Sequence, residues 1–264
     1  MTGHSSDQLL YLPQVTLIAV TSVNVMATIQ ALQASLSKVK FGACKLLTDA
    51  NPKGNLDGIE LVPIARLGSA NAYSKAILTQ LADHVTTSHC LIVQWDGHVI
   101  DAGRWRPDFL EYDYIGASWP QFTDGHNVGN GGFSLRSRRL LEICRSPGFD
   151  SSHAEDLAIG RVNRDWLEQR GFRFAPSALA DIFSAERASD PRATFGYHGV
   201  WHMPHLLGIE NFWKLYRKLD DRNTIQHDFG TLLRQLFVGR GGVGRIFRLL
   251  LDRANNALRL KGSQ

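Results

Sequence analysis

Through the first hundred residues, short uninterrupted apolar runs alternate with stretches whose apolar residues recur every three or four positions. The runs are "VTLIAVTS" (15–22), "CKLLTDA" (44–50), "IELVPIA" (59–65) and "HCLIVQW" (89–95). Between them, Val25, Ile29, Leu32 and Leu36 mark one amphipathic helix, and Tyr73, Ile77, Leu81 and Val85 mark another. A strand that is apolar at every position has two faces to bury, which a parallel sheet covered by helices on both sides provides. The expected fold class is α/β, with a mostly parallel central sheet flanked by helices. Such sheets bind ligands at the carboxyl ends of their strands.

The texture then changes. "YDYIGASWP" (112–120) reads as a strand, "GNGGFSLRS" (129–137) as a glycine-dense loop entering another, and "SRRLLEIC" (137–144) as a helix. A longer helix is expected over 154–171, closed by Gly171, with "FRFAPS" as a short strand after it. With 44% hydrophobic and 20% charged residues in 264, the chain has the make-up of a globular protein with a sizeable core. Cys44, Cys90 and Cys144 are far apart and form no C-x-x-C pair, which argues for reduced thiols. No leader-like segment and no run of about 20 apolar residues is visible, so the expectation is a cytoplasmic protein without a spanning helix.

Four short motifs carry chemistry. Asp96-Gly97-His98 ends the strand at 89–95, and residues two apart in extended chain face the same way, so carboxylate and imidazole could meet one ion or one diphosphate. Read alone, the same residues make an ordinary Asp-Gly turn. Gly129, Asn130, Gly131 and Gly132 give a backbone that can turn sharply or come close to a ligand, and equally a plain hairpin loop. Ser152 and Glu155 have capping-box spacing, which accounts for Glu155 but leaves Asp156 free at a helix start, where a carboxylate can serve as general base. His198 lies between aromatics and glycines in "TFGYHGVWHMPH" and is a better ligand candidate than His202 or His205.

In this order the four motifs resemble those of the GT-A-fold, metal-dependent nucleotide-sugar glycosyltransferases, of the type that builds bacterial cell-surface glycans. The resemblance implies roles for particular residues. Asp96 and His98, with His198, would hold a divalent cation bridging the donor's diphosphate. Residues 129–132 would form the acceptor-side loop, and the Ala154-Glu155-Asp156 motif would supply the catalytic carboxylates, with Asp156 as base and inversion as the outcome. Thr21, Ser22, Asp49, Arg66, Lys75 and Gln94, with Asp96, would bind the donor, a UDP- or GDP-linked sugar. The family's second aspartate is His98 here, and a nitrogen ligand suits Mn²⁺ better than Mg²⁺. The expected activity is hexosyl transfer to a glycan or lipid-linked acceptor. The rival readings are a metal-dependent nucleotidyltransferase and a non-catalytic carbohydrate-binding domain.

The organisation expected is a flexible N-terminus (1–12), a catalytic domain (13–207) and a basic amphipathic helical tail (208–264). Of the net +4, the segment from Arg234 onward carries +6, with seven basic residues against Asp252, leaving −2 for the rest. In the tail, Val243, Ile246, Phe247, Leu250 and Leu258 form one apolar stripe, with Arg245, Arg248, Asp252 and Arg259 facing away. Such a helix can lie on an anionic membrane, here the inner face of the cell membrane, or pack against protein. Nucleic acid is not an expected partner, since the basicity is confined to the tail.

Overall fold

The computed structural model describes residues 9–261. In chain order its elements are β1 (Leu10–Val20), α1 (Val25–Leu36), β2 (Val39–Thr48), β3 (Glu60–Pro63), α2 (Ala70–Thr79), β4 (His89–Val93), β5 (Gly97–Val99), β6 (Tyr114–Ile115), β7 (Phe133–Ser137) and α3 (Arg138–Ile143). There follow α4 (Glu155–Leu157), α5 (Arg164–Glu168), α6 (Ser177–Phe183), β8 (Ser184–Ala185), β9 (Gly196–His198), α7 (Met203–Leu207), α8 (Ile209–Tyr216), α9 (Phe229–Phe237) and α10 (Gly242–Lys261). The chain divides into two compact units, residues 1–198 and 199–264.

The first unit is the expected α/β fold. Its main sheet has the order β3-β2-β1-β4-β7-β6, with β3, β2, β1 and β4 mutually parallel. β7 runs antiparallel to both β4 and β6. The apolar runs are continuous because both faces are covered. In β1, Leu17 and Ala19 join one core cluster with Ile29 and Leu32 of α1, while Ile18 and Val20 join a second with Ile77 of α2 and Leu141 of α3. β4 divides in the same way, Leu91 and Val93 to the first cluster and Cys90 and Ile92 to the second. All three cysteines are free and buried. A smaller sheet, β5-β9-β8, lies beyond the end of β4.

Three local expectations need correction. β1 begins at Leu10, inside the stretch expected to be flexible, whose first eight residues lie outside the described chain. The helix expected over 154–171 is interrupted by a π-helical turn, Ala158–Val162, and by Asn163, whose backbone leaves the helical region (φ −99°, ψ 9°). The Asn163 amide bonds the Asp150 and Ala158 carbonyls, a local competitor for helical hydrogen bonds, and Gly171 still closes the segment with φ 77°. "FRFAPS" contributes a bridge between Phe174 and Tyr114 rather than a strand.

The second unit is helical, α7 to α10. Arg245, expected to face away from the apolar stripe, is buried, donating to the Leu236, Val238 and Arg240 carbonyls and pairing with Glu210 at 2.8 Å. It holds together the turn between α9 and α10, whose carbonyls have no helical partners. The exposed face of α10 is instead apolar, presenting Val243, Phe247, Leu250 and Leu251, with Phe237 and Val238 exposed just before it. The side chains of Leu258 and Arg259 lie outside those described.

Candidate functional site

Topology brings the motifs together. Because β7 is antiparallel to β4, with Phe133 opposite Val93, the glycine loop that precedes β7 meets the chain that leaves β4. Gln94 N–H donates to the Gly132 carbonyl at 3.0 Å, and Gly97 N–H to the Gln94 carbonyl at 3.1 Å, closing a turn that holds Asp96. β5 then pairs with β9, placing Gly97 opposite His198. Asp96 Oδ1 comes to lie 3.5 Å from His198 Nε2, and Gln94 Oε1 lies 3.3 Å from the same nitrogen. Asp96 is buried, and its Oδ1 has no hydrogen-bond partner among the described residues.

His198 is flanked on its other side as well, with Glu186 Oε1 3.4 Å from Nδ1. Burial works against a charged imidazole, but the two carboxylates outweigh it and hold the His198 pKa up at about 10. Glu186, conversely, is held below the usual glutamate range: burial raises it, and the neighbouring His198 with a hydrogen bond from the Asn130 side chain outweighs that. At 3.4 Å from Glu186, His198 Nδ1 makes no hydrogen bond among the described residues. Asn130 has positive φ (59°), uncommon outside glycine, and its Oδ1 accepts from Gly132 N–H at 2.9 Å.

Behind this cluster lies a buried ion pair. Arg136, projecting from β7, meets the Glu155 carboxylate at 2.6 Å with both side chains withdrawn from solvent. Burial raises Glu155, Arg136 partly offsets it, and the result is a carboxyl pushed up to about 7. The capping box does not form. Ser152 Oγ bonds His153, while Glu155 N–H donates to Ser74 Oγ of α2, so a neighbouring helix caps α4 and the Glu155 side chain goes to Arg136. Asp156, half-buried, caps its own turn through the Leu157 N–H at 2.8 Å. Its charge is felt at Glu155 and at Tyr73, whose hydroxyl accepts from the Gln94 amide at 3.0 Å.

The loop's glycines are steric requirements of this packing. A β-carbon on Gly131 would lie 1.7 Å from Glu155 Oε1, and one on Gly132 would lie 2.1 Å from His198 Nε2.

His98 departs from expectation. β4 ends at Val93 and a turn intervenes before β5, so the two-residue alternation does not carry from Asp96 to His98. His98 stands opposite Tyr197, its ring edge-on to the tyrosine at 5.0 Å, and so on the face of the small sheet away from His198. Burial lowers its pKa and favours the neutral ring. Asp96, His98 and His198 do not present three ligand atoms within 4.8 Å of one another; among the described residues His126, Asp165 and Glu168 do, the histidine half-buried and the two carboxylates of α5 exposed.

Of the other expected donor residues, Thr21 and Ser22 follow β1, Asp49 follows β2 and Arg66 follows β3, all at the same end of the sheet, while Lys75 lies within α2. Ser22 Oγ accepts from Leu67 N–H, tying the end of β1 to the loop after β3, and Thr21 bonds back to Val23. Asp49, Arg66 and Lys75 are exposed. Tyr73, Arg136 and Glu186 were not anticipated. Arg136 could have been suspected as a charge inside an apolar strand, whereas "SAERASD" around Glu186 reads as an ordinary solvated turn.

Fold and cluster together define an α/β protein with a polar site at the carboxyl ends of parallel strands. A family model described as "Protein of unknown function (DUF5672)" matches residues 58–198, more than half of the chain, and the chain belongs to that family. A search of curated proteins gives no match. Among solved structures, an active-site mutant of LgtC is similar with 14% identity and a TM-score of 0.41, over 82% of this chain and 99% of that one. The glycosyltransferase GlyE of Streptococcus pneumoniae TIGR4 is similar with 16% identity and a TM-score of 0.36, over 57% of this chain and 43% of that one. A197 from STIV is similar with 15% identity and a TM-score of 0.33, over 55% of this chain and 75% of that one.

Proposed function

We propose that the chain is a glycosyltransferase that moves a sugar from a nucleoside-diphosphate donor to an acceptor hydroxyl, with Asp156 as base and inversion at the anomeric carbon. The observation that carries this reading is the junction of Asp96 and His198 beside the glycine loop, at the carboxyl end of β4. Asp96 offers a buried carboxylate oxygen with no hydrogen-bond partner among the described residues, beside an imidazole nitrogen, a donor set that fits a divalent cation of borderline hardness such as Mn²⁺. The cation would screen the donor's diphosphate and stabilise the departing nucleotide. Asp96 and His198 would hold it, and Asp156 would take the acceptor proton. Thr21, Ser22 and Asp49 would meet the nucleoside, with Arg66, Lys75 and Gln94 toward the phosphates and sugar.

The acceptor, in this reading, is a glycan or lipid-linked molecule at an anionic membrane, on which the exposed apolar face of α10 rests. Arg240, Arg248 and Arg253 are exposed near that face, each worth about 1 kcal/mol beside anionic headgroups. No described helix is long and apolar enough to cross a membrane.

A thermal-shift screen of UDP- and GDP-sugars with and without Mn²⁺ tests the proposal. A donor at about 100 times its Kd adds about 2.7 kcal/mol to native stability, or several degrees in midpoint. Release of nucleoside diphosphate on adding acceptor supports transfer, and nucleoside triphosphate turnover would favour a nucleotidyltransferase. Donor binding without turnover would favour a carbohydrate-binding domain, and no shift with any donor overturns the reading.

A further inference from the structure

Glu186 has no place in the roles set out above, yet it is one of two carboxylates touching His198. The two sit on opposite ring nitrogens, Asp96 at Nε2 (3.5 Å) and Glu186 at Nδ1 (3.4 Å). Glu186 and Asp96 therefore do not converge on a point in front of the ring, and Asp96, His198 and Glu186 form no compact three-atom ligand group. Glu186 is itself held in place: it follows β8, the strand paired with β9 that carries His198, and it is hydrogen-bonded by the Asn130 side chain. A carboxylate can only accept, so the Asn130 amide donates, while Asn130 Oδ1 accepts from Gly132 N–H. The chain of contacts runs from the glycine loop through Asn130 to Glu186 and on to His198.

Resting on the cation reading above, we infer that Glu186 is a positioning residue: it lies 3.4 Å from a buried Nδ1 that has no hydrogen-bond partner among the described residues, and by accepting that N–H when the cation binds it leaves the Nε2 lone pair aimed, with Asp96, at the cation. Histidines that bind metals commonly give their other ring N–H to a carboxylate, which fixes tautomer and ring orientation and raises ligand basicity. The same arrangement accounts for the positive φ of Asn130, since Asn130 must present its amide to Glu186 while its Oδ1 closes the loop.

Two measurements on the full chain test this. Mn²⁺ alone is titrated by the electron paramagnetic resonance of the free ion into wild type, Asp96→Asn, Glu186→Gln and Glu186→Asp. Glu186→Gln is expected to weaken Mn²⁺ about 10- to 100-fold, with Glu186→Asp recovering part of the affinity and Asp96→Asn losing nearly all of it. In parallel, Zn²⁺ serves as a diamagnetic stand-in for spectra of ¹⁵N-histidine-labelled wild type, with His198 assigned by comparison with His198→Gln. The expected spectrum has Nδ1 protonated and Nε2 carrying the metal, and this measurement needs no variant that disturbs Glu186. Metal on Nδ1, or Mn²⁺ affinity unchanged in Glu186→Gln while Asp96→Asn has lost it, overturns the role of Glu186 and leaves the cation reading standing. If wild type takes up no Mn²⁺, the cation reading falls and the role of Glu186 with it.

Discussion

The Arg136 guanidinium and the Glu155 carboxylate meet at 2.6 Å in the interior, one carried by a central strand and the other by the first turn of a helix. Removing one member leaves a buried charge with nothing to balance it. Glu155→Ala is therefore expected to cost about 3–5 kcal/mol in denaturant unfolding. The Arg136→Met, Glu155→Leu double variant should cost much less than the two single changes combined.

Asp156 should behave in the opposite way. It is half-buried and bonds its own helical turn, so Asp156→Asn should leave unfolding within about 0.5 kcal/mol of wild type. If it is the base, donor binding persists while transfer falls about 10²- to 10⁴-fold. Normal transfer by this variant would sink the assignment.

Gly132→Ala places a methyl 2.1 Å from His198 Nε2, and Gly131→Ala places one 1.7 Å from Glu155 Oε1. Each is expected to destabilise by about 1–3 kcal/mol. Gly132→Ala should in addition weaken Mn²⁺ binding, because it pushes on the nitrogen facing Asp96. Gly68→Ala, where a β-carbon meets nothing within 4 Å, is the control and should change neither quantity.

His198 makes the site sensitive to pH. Its folded pKa, about 10, lies above the ordinary 6.5, so the metal-free protein has this stabilisation in full below pH 6.5 and loses it as pH rises through 10. Thermal midpoints of the metal-free protein should fall across that window, and the fall should be shallower in His198→Gln. Because a cation must displace the proton from Nε2, Mn²⁺ affinity should rise by about tenfold per pH unit below that pKa, with proton uptake by buffer visible in calorimetry.

The exposed face of α10 is tested with vesicles. Phe247→Glu with Leu250→Glu should sharply reduce cosedimentation with anionic vesicles while leaving the thermal midpoint unchanged, since both side chains are exposed. Arg245→Ala should lower stability by about 2–4 kcal/mol, having removed the donor for three carbonyls and the partner of Glu210. Equal vesicle binding by wild type and the double variant would remove the membrane from the proposal.

The sequence by itself determined the sheet and the end of it at which chemistry could gather. Period and apolar continuity are local quantities, and they sufficed to place β1, β2 and β4, to put helices on both faces, and to mark Asp96, the glycine loop, Glu155-Asp156 and His198 as candidates. The tertiary structure decided which of these meet and what each faces. The turn between β4 and β5 reset the alternation and turned His98 toward Tyr197. Antiparallel β7 carried Arg136 under Glu155, replacing the expected capping box with an ion pair. The pairing of β8 with β9 brought Glu186 beside His198, and the turn between α9 and α10 drew Arg245 inward. Each of these depends on charges and carbonyls far apart in the chain that must find partners once buried, a condition set by the packing of the whole and not by spacing within any one segment.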